Sequence, residues 1–131
     1  MKVSTIFPDA PKQPVDASDV ATMQHAMLDA AEALTEMAGD VASALTVLEY
    51  DGERRKRALA LICREFLLTG DSASAADTKA RASEAYGEAL VKLAGQLEDA
   101  QSVVARREAA RMRWETARSC LAMSRATIGN L

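Results

Sequence analysis

VATMQHAMLDAAEALTEMAGDVASALTVL, residues 20–48, repeats an apolar side chain every seven positions without a break. Val20, Met27, Leu34, Val41 and Leu48 form one row, and Met23, Ala30, Met37 and Ala44 follow three residues behind its first four members. An a/d spacing held for about four heptads predicts a long helix with one narrow apolar seam, since the repeat keeps those side chains on a single face. The acids Asp29, Glu32, Glu36 and Asp40 fall on the outer face of the same helix. Upstream, Asp16 or Ser18 can cap its first turn, and Asp19 suits the positive end of the helix dipole.

Outward from that stretch the composition stays helical. Ala, Leu, Val and Met supply the bulk of an apolar content of 49%, whereas aromatic residues contribute only 4%. All three prolines lie in the first 14 residues, so no later position forbids a long helix. Residues 1–17, which contain them, show no apolar period and are expected to form an extended arm. Residues 18–131 are expected to form a single domain.

At YDGERRKRA, residues 50–58, the seam is interrupted. The first arm either bends near Gly52 or continues through a local weakness. A broad apolar face resumes with Leu59, Ile62, Cys63, Phe66 and Leu67. TGDSASAAD, residues 69–77, ends it, with Gly70 as C-terminal cap and Ser74 or Asp77 opening the next helix. The last helix is predicted from about Thr78 to Ile128, on a stripe that includes Tyr86, Leu90, Leu97, Trp114 and Leu121. Its length and that of the first arm match at roughly 75 Å each. Equal arms imply an all-α, long antiparallel helical hairpin, with residues whose numbers total about 147 facing one another. Two helices cannot cover faces this broad, so two hairpins joined as a four-helix-bundle-like homo-oligomer are expected, with a dimer favoured.

Charge is distributed in blocks. Residues 1–50 carry −6, 51–69 carry +2, 70–100 carry −3 and 101–131 carry +4, which gives the total of −3. Six arginines crowd into residues 106–125. Arg107, Arg111, Arg118 and Arg125 lie beside the apolar stripe of Trp114 and Leu121, where their stems can cover apolar surface while the charge stays in water. The hairpin register places Arg107 across from Asp40, and an ion pair is expected there. Arg54, Arg55 and Arg57 form a second basic patch. Together these seven arginines are the candidate polyanion-binding residues, with Trp114 as a stacking surface for a base.

The chemistry of catalysis finds little here. One histidine, His25, and two distant cysteines, Cys63 and Cys120, cannot by themselves make a tetrahedral metal site. No phosphate-binding glycine loop or hydrolase motif occurs, so neither a catalytic residue nor a cofactor is expected. Free thiols and the lack of a long apolar run predict a cytoplasmic protein with no membrane span.

SEAYGEALVKLAGQLEDAQSVVARREAARMRWETARSCLAMSRA, residues 83–126, resembles small helical, coiled-coil-like proteins of tailed phages and prophages. The shared features are an early tyrosine, spaced leucines and alanines, and an aromatic followed by arginine in WETAR. The resemblance covers about a third of the chain. It implies an accessory protein often encoded near recombination or early replication genes, and it brings no functional residue with it. The sequence-based expectation is a non-enzymatic helical oligomer that binds another macromolecule. The alternatives are a nucleic-acid-binding accessory protein that uses the arginine stripe, and an inhibitor of a host nuclease or defence enzyme.

Overall fold

The computed structural model describes residues 17–129. The expected arm at 1–17 and the cap at Asp16 therefore lie, apart from Ala17, outside the described residues. The order is α1 (Ala17–Glu49), α2 (Asp51–Leu68), α3 (Ala73–Ala82) and α4 (Glu84–Gly129), with no strand among the described residues. The fold is all-α and belongs to the antiparallel helical hairpin class.

The interruption of the first arm falls at Tyr50 rather than at Asp51-Gly52. Tyr50 has φ −101° and ψ 13°, and Gly52 lies inside α2. Helical hydrogen bonding nevertheless runs across the break: Tyr50 N–H donates to the Thr46 carbonyl at 3.1 Å, and Arg54 N–H donates to the Tyr50 carbonyl at 2.9 Å. A one-residue departure thus separates two helices while both backbone groups of Tyr50 stay hydrogen-bonded in the helical pattern.

α2 stops where Gly70 permits it. At φ +99° Gly70 donates to the Leu67 carbonyl, and Asp71 N–H donates to that of Phe66. This is the paired C-terminal closure that a left-handed glycine allows, because a positive φ strains the backbone of any residue that carries a Cβ. The next helix starts earlier than Thr78, the expected position, and its cap is neither Ser74 nor Asp77. Ser72 takes an extended backbone and accepts from Ala75 N–H at 3.2 Å, so α3 opens at Ala73.

The expected continuous last helix is also broken once. Ser83, with φ −74° and ψ 148°, ends α3 and opens α4. Its hydroxyl donates to the Ala80 carbonyl at 2.6 Å and accepts from Tyr86 N–H at 3.2 Å. One serine side chain serves the end of one helix and the start of the next, which removes most of the penalty of the break.

By their packing the described residues divide into two compact units. The first joins residues 17–33 of α1 to 110–129 of α4. Its buried side chains are Ala30, Ala110, Ala117, Leu121 and Ser124. Ser124 donates its hydroxyl to the Cys120 carbonyl at 2.8 Å, which satisfies a buried polar group within its own helix. The same oxygen lies 3.5 Å from the Met23 sulfur, one of the pairings the hairpin register predicts.

The second unit comprises residues 34–109. Val41, Ala44, Ala76, Ala80 and Ala100 form its buried set. α2 packs on α3, where the Cys63 thiol lies 3.9 Å from the Ala76 carbonyl. α2 also reaches α4, since the Arg54 guanidinium donates to Gln96 Oε1. No residue of α2 is fully buried. Leu59, Ile62, Cys63 and Phe66 stand half-buried along its inner side.

Candidate interaction surfaces

Every member of the sevenfold seam faces inward to some degree. Val20, Met23 and Met27 of the first unit are half-buried and Ala30 is buried. In the second unit Leu34, Met37 and Leu48 are half-buried, while Val41 and Ala44 are buried. On α4, Leu90, Leu97 and Trp114 are half-buried and Leu121 is buried. Full burial falls mainly on small side chains: seven of the nine buried apolar residues are alanines, the others being Val41 and Leu121. Alanine contacts bring helix axes close, but they leave larger neighbours projecting past the contact.

Those projecting residues form the apolar surface. In the first unit Leu28, Met112 and Met123 are 64%, 63% and 68% exposed. In the second, Leu61, Leu68 and Val91 are 54%, 77% and 74% exposed, and Leu45, Tyr50 and Leu67 are exposed as well. The first unit also carries an apolar groove of about 600 Å³ lined by Met23, Ala26, Met112, Ala117 and Cys120, among others. The sevenfold count on α1 did not reveal Leu28 or Leu45, because both lie off the seam on a helix that has further faces to cover.

The arginines are scattered over several roles. Arg118 holds its guanidinium 5.5 Å from the centre of the Trp114 ring, a cation–π contact. Arg118 and Arg125 join Met27, Trp114 and Leu121 around a hollow of about 370 Å³ in the first unit. Arg111 lies 3.8 Å from Glu115, one turn along its own helix. Arg107 is half-buried, and the expected ion pair with Asp40 is not formed. Asp40 is exposed and lines a shallow hollow of the second unit with Arg54, Gln96 and Asp99. Arg54 of α2 is the cation that reaches into this hollow, and it makes its hydrogen bond to Gln96 rather than to Asp40.

On α2 the basic patch is largely neutralised by its own first turn. Arg55 pairs with Asp51 at 3.2 Å and Lys56 with Glu53 at 3.6 Å. Arg57 remains exposed. The patch therefore presents less free positive charge than its sequence suggests. His25 is exposed and lies 3.8 Å from Asp29, so it is a surface side chain beside the seam.

Among the described residues no three His, Cys, Asp or Glu side chains converge on a common point. No described helix is long and apolar enough to cross a membrane. The fold and its surfaces define a class, an all-α hairpin with apolar outer faces. Comparison with known proteins finds no matching family model, no similar curated protein and no similar solved structure.

Proposed function

We propose that this chain is a non-enzymatic helical oligomer that acts as an interaction or accessory protein, docking helix against helix through apolar faces rimmed with charge. The observation that carries the reading is the inversion of size and burial. Alanines fill the contacts, while Leu28, Leu61, Leu68, Met112 and Met123 stay more than half exposed. Covering one such side chain is worth about 1.5–3 kcal/mol, so a partner surface is favoured wherever several lie together. A dimer is the smallest closed assembly that supplies one. The resemblance of residues 83–126 to helical phage and prophage proteins is the ground for placing the role among phage accessory functions, and the free thiols of Cys63 and Cys120 are the ground for placing it in the cytoplasm.

The test is the mass of the protein in solution, by light scattering over a wide concentration range. A dimer or larger assembly is expected. A strict monomer throughout would remove the reading.

A second reading rests on the hollow where Trp114, Arg118 and Arg125 meet in the first unit. An aromatic face edged by guanidinium groups suits a nucleic-acid strand. A gel-shift titration at two salt concentrations separates the readings. A nucleic-acid role requires binding that weakens steeply with salt and fails in the R111E/R118E variant, whereas pure helix docking gives no shift at either salt.

A further inference from the structure

α2 exposes a row of side chains that the rest of its unit leaves uncovered. Leu61 is 54% exposed and Leu68 77% exposed, and Arg64 and Glu65 between them are exposed too. At 100° per residue these four fall within an arc of about 100° on one helix face. Arg64 and Glu65 make no ion pair or side-chain hydrogen bond among the described residues. Of the bases that precede them on α2, Arg54, Arg55 and Lys56 are engaged within the chain, and Arg57 is exposed.

The row has an internal symmetry. LICREFLL, residues 61–68, reads leucine, two spacers, arginine, glutamate, two spacers, leucine. Turn a second copy of α2 antiparallel about the midpoint between Arg64 and Glu65. Leu61 then lies on Leu68 of the second copy, and Arg64 meets Glu65 of the second copy, with both contacts repeated by the two-fold axis. A parallel pairing in the same register would set arginine on arginine and glutamate on glutamate. The charge order thus selects both the partner and its direction.

We propose that this face of α2 is an antiparallel, two-fold self-association seam, with a second copy of the same chain as its occupant. The proposal rests on the oligomeric reading above and gives it a site. Each chain contributes two leucines and one opposite-charge pair of side chains over about two helical turns. So small a contact makes a weak, concentration-dependent dimer rather than an obligate one.

Charge reversal tests it with the full chain. A chain carrying R64E presents two acids at the centre of the seam, and a chain carrying E65R presents two bases. Sedimentation over on the order of 10–200 µM should show a wild-type dimer, and each single variant should dimerise roughly tenfold or more weakly. Equimolar mixing of the two variants should restore association at wild-type strength, because acids then face bases. The double variant R64E/E65R should also recover, since reversing both charges keeps the order self-complementary. Unchanged helical circular dichroism in the singles, together with rescue on mixing, separates a lost contact from a lost fold. Singles that associate like wild type, or a mixture that gains nothing, would overturn the seam while an oligomer formed elsewhere still stands. A wild-type chain that is monomeric across the range overturns both the seam and the oligomeric reading.

Discussion

Replacing Gly95 by alanine adds one methyl group to an exposed flank of α4, where a Cβ would meet nothing within 4 Å. Gly39 on α1 is equally open, and neither residue adopts a positive φ. A mid-helix glycine costs about 0.8–1 kcal/mol relative to alanine, mainly through the backbone freedom it loses on folding. For a chain of this length the unfolding entropy is about 0.28 kcal/mol/K, so each substitution should raise the melting temperature by roughly 3–4 °C. Sites this far apart in sequence and without a shared neighbour should act additively, which gives about 6–7 °C for the pair. Gly70 reverses the sign. Its φ of +99° is a conformation that a Cβ disfavours by about 1–2 kcal/mol, so Gly70→Ala should lower the melting temperature by roughly 4–7 °C. Thermal unfolding followed by helical circular dichroism reads all three variants. A lower melting temperature for Gly39→Ala or Gly95→Ala, or an unchanged one for Gly70→Ala, would refute the reasoning.

Other substitutions test separate parts of the packing. Leu121→Ala empties the largest buried apolar position of the first unit, 4% exposed, and should cost about 2–4 kcal/mol in a denaturant titration. Ala110→Leu forces a larger side chain into a fully buried alanine contact and should cost about 1–3 kcal/mol by the same measurement, whereas a neutral result would show that the helices can move apart freely. Ser72→Ala removes the acceptor for Ala75 N–H and should destabilise by about 1 kcal/mol, with amide exchange accelerated over the first turn of α3. Arg118→Ala frees one face of Trp114, so the tryptophan fluorescence should be quenched more readily by acrylamide; equal quenching would mean that the guanidinium does not cover the ring.

How much of this was legible in the residues differs from element to element. The α1 seam was, because a sevenfold apolar repeat has only one helical reading, and none of its members is exposed. Gly70 was legible too, as the sole glycine that follows a completed apolar face and precedes a run of small polar residues. Tyr50 and Ser83 were not. Neither is a helix breaker by type, and Gly52, which is, lies within α2. At Ser83 the hydroxyl bridges the Ala80 carbonyl and the Tyr86 amide, but serines such as Ser43 and Ser102 lie inside helices, so residue type alone does not mark the break. The arginine stripe was half legible. Its position beside the apolar face followed from periodicity, but its partners did not: Arg118 lies over Trp114, Arg111 lies near Glu115, and Asp40 has no bond to Arg107.

By itself, then, the sequence determined that the chain is helical, where its main seam runs and which residues end α2, because those properties depend on local propensity and on period along one strand of polypeptide. Only the tertiary structure decided which apolar side chains are covered and which cations find partners. A leucine at Leu61 or Leu68 is as apolar as one at Leu121, and the difference lies wholly in whether another helix passes within reach. That is a property of neighbours brought together from distant parts of the chain, and no periodicity along a single helix encodes it.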